Sequence, residues 1–275
     1  MKKILLPTDF SENAYNAISY AVQFFKKESC TFFLLNSIHN ADFIMHSSLY
    51  DVYQKLSQEG LENLEQLIKE EFPNPLHSFE RVSTFNLLHE EIKERVSNKQ
   101  IDLIVISSRG DRDGGELLFG SNTAHAIRIA KCPILTVPTS IKYSPIEQIL
   151  FPSDFKLTIC ELQLSFLKEI AENNKSKINI LHECFGHELT ENQENVKNTI
   201  NNYFEKTPHS FHESSVDSVM DSIYQFKEKY PIQLLAMVKN KHSFIEKILF
   251  RSTVKDVAFY IKLPFLILPS EHYEV

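Results

Sequence analysis

One short motif occurs at the start of each half of the chain, and this repeat sets the architecture. Residues 4–10 read Ile-Leu-Leu-Pro-Thr-Asp-Phe, and residues 149–155 read Ile-Leu-Phe-Pro-Ser-Asp-Phe. A second match, between Pro133–Val137 and Pro264–Leu268, follows in the same order. The offset between the halves is 145 residues at the first match and 131 at the second, so the second copy lacks 14 residues in its middle. We therefore expect a tandem duplication of one fold.

Within each copy, short apolar segments alternate with segments of helical periodicity. Ser11 is placed to cap the first helix, and 101–106 is an apolar run typical of a strand buried on both faces. The predicted strands are 4–6, 30–35, 79–83, 101–106 and 134–137, then 149–151, 178–182, 210–212, 233–238 and 265–268. The alternation predicts an α/β fold: two tandem copies of a doubly wound, five-stranded, mostly parallel sheet with helices on both faces.

The connection between the copies is marked by Pro138 and Pro145, which disfavour a continuous helix. We place the first domain at residues 1–139 and the second at residues 146–275. With 275 residues, of which 43% are hydrophobic, each domain is large enough to bury its own core.

Charge and cysteine content indicate a compartment and exclude some partners. The net charge of −7 gives no basic footprint for nucleic acid or for an anionic membrane surface. Neither a signal peptide nor a membrane-spanning segment is expected, because no apolar run is long enough. The four cysteines have no short paired spacing, which is typical of buried thiols in a reducing compartment. We expect a cytoplasmic protein.

The sequence concentrates its few glycines in one loop. Four of the six glycines lie between Gly110 and Gly120, after the predicted strand that ends near Ser107. Glycine lets a backbone approach phosphate oxygens, and the N–H groups of a helix's first turn point at such an anion. Ser121 and Thr123, at the start of the following helix, are expected to add hydroxyl donors. Because parallel strands end at the same edge of a sheet, Asp9 falls beside this loop.

This loop resembles the ATP-binding motif of universal stress proteins, which reads Gly, two residues, Gly, nine residues, Gly, then Ser or Thr. Gly110 and Gly120 match the second and third glycines, and Ser121 matches the hydroxyl residue. Ser107 replaces the first glycine, and we expect the site to tolerate this small side chain. The resemblance covers nearly the whole chain, because it occurs once in each half. It implies a fold like that of the adenine-nucleotide α-hydrolases, which is similar to the Rossmann fold.

The resemblance also implies a ligand and its contacts. Asp9 matches the aspartate that lies against the adenosine, and Ser37 falls where the family meets the adenine edge with backbone groups. Arg109 contacts phosphate or is simply solvated, and the sequence favours neither reading. The expected ligand is ATP, or ADP or AMP, with Mg²⁺ held through the phosphates. The candidate binding residues are Pro7, Thr8, Asp9, Ser37, Ser107, Arg109, Gly110, Gly120, Ser121, Asn122 and Thr123.

The second copy departs from the motif. Aligning Ser252 with Ser121 places Val238, Lys241 and Arg251 at the three glycine positions, while Asp154 is retained. We expect ATP binding to be lost there, since these side chains cover the backbone. Attraction of a small anion by the basic side chains is the lesser alternative.

Three functions remain open at this point. The first is a non-enzymatic, nucleotide-binding stress-response regulator. The second is an enzyme on a related fold, although the His-x-Gly-His, Ser-Gly-Gly and Walker signatures of such enzymes are absent. Slow ATP hydrolysis is the enzymatic activity that the sequence does not exclude. The third is a scaffold that binds no nucleotide. The resemblance further implies that 134–137 and 265–268 pair edge to edge as an internal pseudo-dimer, with a homodimer and an unknown protein partner as further expectations.

Overall fold

The computed structural model describes residues 1–38, 48–98, 100–108, 119–156, 161–183, 188–216, 218–239 and 263–269. The chain forms two compact units. The first ends at Tyr143 and the second begins at Ser144, inside the proline-marked connection. None of the described helices is long and apolar enough to cross a membrane.

The first unit is a parallel sheet of five strands connected by helices. Its elements are β1 (Lys2–Pro7), α1 (Glu12–Phe24), β2 (Cys30–Ser37), α2 (Ser48–Glu71), β3 (His77–Thr84), α3 (Leu88–Ser97), β4 (Leu103–Ser107), α4 (Ser121–Ile129) and β5 (Ile134–Val137). The strand order is β3-β2-β1-β4-β5. Every neighbouring pair in this unit is parallel, which confirms the predicted fold class.

Helix α1 shows why the apolar periodicity predicts this half well. The Ser11 side chain accepts a hydrogen bond from the Ala14 N–H, so Ser11 is the N-cap, as predicted. The apolar face is buried as expected: Ala14, Ala17, Ile18, Ala21, Val22 and Phe25 are each at most 4% exposed. The helix packs on β4 and β5, while α2 packs on β2 and β3.

The second unit repeats the same topology. Its elements are β6 (Gln148–Pro152), α5 (Glu161–Asn174), β7 (Lys177–Glu183), α6 (Glu191–Tyr203), β8 (His209–Ser214), α7 (Val219–Lys229), β9 (Leu234–Val238) and β10 (Phe265–Leu268). The strand order is β8-β7-β6-β9-β10, and all four pairings are parallel.

Sheet register locates the residues that the second copy lacks. In the first unit Leu35 of β2 pairs with Val82 of β3, and 47 positions separate them. In the second unit Leu181 of β7 pairs with His212 of β8, and 31 positions separate them. The shortening therefore falls in the connection that carries α2 in one unit and α6 in the other. These helices have 24 and 13 residues.

Candidate functional site

The strand order of the first unit reverses between β1 and β4. From β1 the chain proceeds outward through β2 and β3 on one side, then crosses to β4 and β5 on the other. In such sheets the ligand site lies beyond the carboxyl ends of the two strands where the order reverses. Asp9 follows β1 and Ser107 ends β4, so both lie at this edge of adjacent strands.

Two hydrogen bonds close the base of the loop between β4 and α4. The Gly120 N–H donates to the Ser108 carbonyl at 2.8 Å, and the Thr123 hydroxyl donates to the Ser107 carbonyl at 2.8 Å. Ser107, Ser108 and Thr123 are all buried. The start of α4 is therefore held against the end of β4. Arg109 and Gly110 lie outside the described residues.

The first turn of α4 presents backbone N–H groups at this edge. Gly120 is the N-cap, and its carbonyl accepts the first intrahelical bond, from the Ala124 N–H at 2.8 Å. The N–H groups of Ser121, Asn122 and Thr123 precede that bond, so they have no partner within the helix. They lie at the positive end of the helix dipole, which favours an anion. Ser121 and Asn122 are exposed.

The Thr123 side chain has a partner within the protein. The Thr123 hydroxyl is expected from the sequence to donate to the ligand, but it donates to the Ser107 carbonyl and the residue is 3% exposed. Thr123 therefore contributes structure through its side chain. The helix begins at Ser121, as the sequence indicates.

After β1 the chain makes a tight turn at residues 8–11, here called the Thr8–Ser11 turn. The Thr8 N–H donates to the Leu35 carbonyl at 2.8 Å, and the Thr8 hydroxyl accepts from the Phe10 N–H at 3.0 Å. Phe10 has φ 63°, a left-handed conformation that is uncommon for a bulky residue and is often kept at functional sites. Pro7 ends β1, is buried, and pairs with Leu35.

Asp9 has a structural role in this turn. Its Oδ1 accepts from both the N–H and the hydroxyl of Ser11, at 3.1 and 2.5 Å. Asp9 is exposed, so its carboxylate is also accessible to a ligand. The turn role and the ligand role are therefore compatible at one side chain.

Ser37 ends β2 at the same edge of the sheet. Its hydroxyl donates to the Asn86 carbonyl at 2.7 Å, and the following Ile38 N–H donates to the Thr84 carbonyl at 2.8 Å. The hydroxyl of Ser37 is thus committed to the connection after β3. Any contact from Ser37 to a ligand falls to its backbone, as the family resemblance implies.

His125 packs against a residue that the sequence does not single out. Its ring stacks on that of His89 in α3, with 4.2 Å between centroids and 11° between planes. Burial lowers the pKa of His125, and the neighbouring His89 and Arg128 lower it further. The stacking gives this side chain a packing role.

Comparison with known proteins agrees with this geometry. Residues 1–138 match the sequence model of the Universal stress protein family. The chain belongs to the universal stress protein family. A universal stress protein of Methanocaldococcus jannaschii is 28% identical over 154 residues, covering 50% of this chain and 94% of the relative. A second one from the same organism is 29% identical over 143 residues, covering 50% of this chain and 81% of the relative.

The fold itself recurs in a solved universal stress protein. The crystal structure of one from Archaeoglobus fulgidus matches with a TM-score of 0.71 at 18% identity, covering 99% of this chain and 97% of that chain. At this identity the match concerns the fold. The likeness in fold includes the second half.

The second half has the same turn after its first strand, β6. The Ser153 N–H donates to the Leu181 carbonyl, the Ser153 hydroxyl accepts from the Phe155 N–H, and Asp154 Oδ1 accepts from the Lys156 N–H. Phe155 has φ 52°, matching Phe10. Because this turn persists in a half whose sequence departs from the motif, the fold alone is enough to maintain it.

The surroundings of that turn differ between the halves. Phe10 is 44% exposed and its ring lies over Gly60 of α2, whereas Phe155 is 1% exposed and stacks on His182. At the end of β9 stands Val238, followed by Lys239, which is 4% exposed. Lys241 and Arg251 lie outside the described residues.

Proposed function

We propose that the first half binds an adenine nucleotide at the carboxyl ends of β1 and β4 and that the protein acts as a ligand-responsive regulator in the cytoplasmic stress response. One observation carries the proposal. The bonds from Gly120 and Thr123 hold the open first turn of α4 at the end of β4, next to the strand that leads to Asp9. Anion donors and a carboxylate thus lie at one edge of the sheet.

The chemistry of the two sides matches the two ends of a nucleotide. The N–H groups of Ser121 and Asn122 suit phosphate oxygens, because both residues are exposed and the groups lie at the positive end of a nine-residue helix. The Asp9 carboxylate suits ribose hydroxyls, which are donors. ATP, ADP and AMP share these features, and Mg²⁺ would accompany the nucleotide through its phosphates.

We propose binding without efficient turnover. A hydrolase needs a base within reach of the attacking water. Among the described residues at this edge, the Asp9 carboxylate is assigned to the ribose, and the His125 ring stacks on His89. These contacts favour a regulator over an enzyme, and phosphate release measured beside binding tests this point.

The site is tested sharply by Gly120→Asp. Gly120 has φ −64° and ψ 162°, a backbone conformation that any residue adopts, so the substitution adds no backbone strain. Aspartate is a favoured N-cap, and its carboxylate would accept the first-turn N–H groups that the phosphates need. The variant should therefore remain folded while losing nucleotide binding.

The experiment is a titration of the full chain with ATP by calorimetry. Thr190→Asp is the matched control, because Thr190 is the N-cap of α6 in the second half and its side chain accepts from the Gln193 N–H. Heat of binding from the wild type and from Thr190→Asp, with none from Gly120→Asp, supports the proposal. Equal binding by all three proteins, or no heat from the wild type at millimolar ATP, would overturn it.

A further inference from the structure

A buried chain of hydrogen bonds leads from β3 through α2 to the Thr8–Ser11 turn. The Ser83 hydroxyl donates to the Ser57 hydroxyl, which donates to Asn36 Oδ1, and Asn36 Nδ2 donates to the Thr8 carbonyl. Each bond is 2.8 Å long. Thr8, Asn36 and Ser57 are between 4% and 9% exposed. This series of hydrogen bonds thus connects β3, α2 and β2 to the residue that follows β1, and it is largely shielded from solvent.

The order of donors in this chain fixes the orientation of the Asn36 amide. A carbonyl oxygen accepts and cannot donate, so the group of Asn36 that faces Thr8 must be its NH₂. The oxygen of Asn36 then faces Ser57, whose hydroxyl supplies the donor. Ser57 in turn accepts from Ser83. Without these serines, the buried amide oxygen would lose its partner, which is costly in a low-dielectric interior.

The contact to Thr8 completes the fixation of the turn. The N–H, the hydroxyl and the carbonyl of Thr8 are each engaged, by Leu35, Phe10 and Asn36 respectively. The peptide that follows the Thr8 carbonyl belongs to Asp9. The hydrogen bond to the Thr8 carbonyl therefore fixes the plane of the peptide bond between Thr8 and Asp9. This plane in turn sets the direction in which the Asp9 side chain leaves the backbone.

The second half makes the same contact with different chemistry. His182 occupies the position equivalent to Asn36, directly after the leucine that pairs with the proline ending the first strand of each unit. Its Nδ1 lies 3.0 Å from the Ser153 carbonyl, so Nδ1 carries the donated hydrogen. Two unlike side chains thus satisfy one requirement, that the carbonyl before the aspartate be held by a donor from the second strand.

We propose that Asn36 is a positioning residue of the nucleotide site, with Ser57 and Ser83 fixing its amide so that Asp9 is held in its binding orientation. The inference rests on the proposed function, since the benefit of a fixed Asp9 is ligand affinity. It also makes a claim about the turn that needs no ligand. The two claims are separable by experiment.

The test compares Asn36→Asp with Ser78→Ala in the full chain. Asn36→Asp keeps the shape and the acceptor for Ser57, but it turns an oxygen toward the Thr8 carbonyl. Ser78→Ala removes the hydrogen bond of 3.0 Å from the Ser78 hydroxyl to Thr31. This bond joins β3 to β2 at the end opposite to Ser83 and Asn36. We expect Asn36→Asp to weaken ATP binding about tenfold, the factor that one hydrogen bond of about 1.4 kcal/mol supplies. Ser78→Ala should leave ATP affinity within about twofold of the wild type.

A ligand-free readout separates this inference from the proposed function. Amide hydrogen exchange of Phe10 and Ser11 should accelerate at least about tenfold in Asn36→Asp, while the Leu34 amide in the middle of β2 stays protected. Ser57→Ala, which keeps the donor to Thr8, should show a smaller acceleration at the same amides. Asn36→His combined with Ser57→Ala borrows the solution of His182 and should restore both slow exchange and affinity.

Each outcome decides the proposal. Unchanged exchange at Phe10 and Ser11 in both Asn36→Asp and Ser57→Ala overturns it, whether or not ATP binds. Equal loss of affinity in Asn36→Asp and Ser78→Ala also overturns it, because the loss is then general destabilisation. If the wild type binds no ATP, the proposed function fails while accelerated exchange still supports positioning of the turn. If Asn36→Asp does not fold, exchange in Ser57→Ala decides: acceleration at Phe10 and Ser11 supports the proposal, and unchanged exchange overturns it.

Discussion

The ring of Phe155 stacks on the imidazole of His182, with 4.6 Å between centroids and 21° between planes. Phe10, at the equivalent place in the first half, is instead 44% exposed and lies over Gly60. The connection carrying α6 is shorter than the one carrying α2, so the second half meets this turn with different neighbours. The same residue type in the same backbone conformation is therefore a core residue in one half and a rim residue in the other.

This difference predicts unequal effects of removing the two rings. Phe155→Ala should lower the free energy of unfolding by about 3–5 kcal/mol, because a fully buried ring is lost and a cavity remains. Phe10→Ala should cost about 1 kcal/mol or less, since nearly half of its surface is already in water. Urea denaturation of the two variants measures both values. Similar losses in the two variants would contradict the assignment of Phe155 to the core.

The contact between Phe10 and Gly60 predicts coupling between these positions. A Cβ placed on Gly60 would lie 2.8 Å from Phe10 Cζ and 3.0 and 3.1 Å from two further ring atoms. Alanine raises helix stability over glycine by about 1 kcal/mol, but here the ring of Phe10 must move to admit it. Gly60→Ala should therefore stabilise the protein in a Phe10→Ala background and not in the wild type.

A double-mutant cycle with urea unfolding measures this coupling. We expect an interaction free energy of at least about 1 kcal/mol between Gly60→Ala and Phe10→Ala. Gly60 is a glycine in the interior of a 24-residue helix, so its propensity gain is known in sign before the experiment. Additive effects within about 0.3 kcal/mol would show that the ring does not constrain this position.

The second half should lose stability in mild acid through His212. The Asn179 amide donates through Nδ2 to Gln148 Oε1 and the Ile149 carbonyl, so its Oδ1 faces His212 Nε2 at 3.2 Å. The Ser210 hydroxyl, 2.8 Å from His212 Nε2, donates to the same Asn179 Oδ1, so neutral His212 donates from Nε2. Protonation of His212 then adds a charge to a ring that packs against Phe226. Burial lowers the pKa of His212, and nearby Lys177 lowers it further.

The sign of the pH effect follows from this lowered pKa. Below the unfolded-state pKa of about 6.5, His212 is protonated in the unfolded chain but still neutral in the folded protein. The contribution of His212 to the free energy of unfolding is therefore fully present above that pH and is lost as the pH falls toward the folded-state pKa. His212→Gln keeps a donor to Asn179 and cannot titrate. The slope of unfolding free energy against pH between 7 and 5 should be smaller in this variant than in the wild type. Identical slopes would exclude His212 as the source.

Periodicity and repetition predicted the strands along the chain, and the order of the strands in each sheet was known only from the structure. Apolar runs such as 101–106 identify buried strands because a strand that is covered on both faces needs apolar side chains on both faces. The start of α4 was predicted from Gly120 and the polar residues after it, which form a cap, because no apolar periodicity marks this turn. The left-handed Phe10 and Phe155 were unpredictable, since nothing local favours φ above zero for phenylalanine.

The site was predicted in part from its motif. Asp9 and the loop glycines follow a spacing that sequence can reveal, whereas Asn36, Ser57 and Ser83 lie on three different elements and share no spacing. Only the fold brings them together. The only local indication in the sequence is that Asn36 is a polar residue directly after the apolar run of β2. Polar residues are common at strand ends, so this indication does not identify Asn36.

The last prediction concerns the base of the loop between β4 and α4. Thr123→Val keeps the branched shape but removes the hydroxyl that donates to the buried Ser107 carbonyl. This should lower the free energy of unfolding by about 1–3 kcal/mol, because the carbonyl loses a donor that buried solvent does not replace. Thr199→Val is the matched control, since the Thr199 hydroxyl donates to the Asn195 carbonyl on an exposed face of α6.

Under the proposed function, Thr123→Val should also weaken ATP binding, because the first turn of α4 is then free to move away from β4. Thr199→Val should change neither stability by more than about 0.5 kcal/mol nor ATP affinity. Thermal denaturation with and without ATP measures both effects in one experiment. Loss of stability in Thr123→Val with undiminished stabilisation by ATP would mean that closure of this loop supports the fold alone and leaves anion binding to other groups.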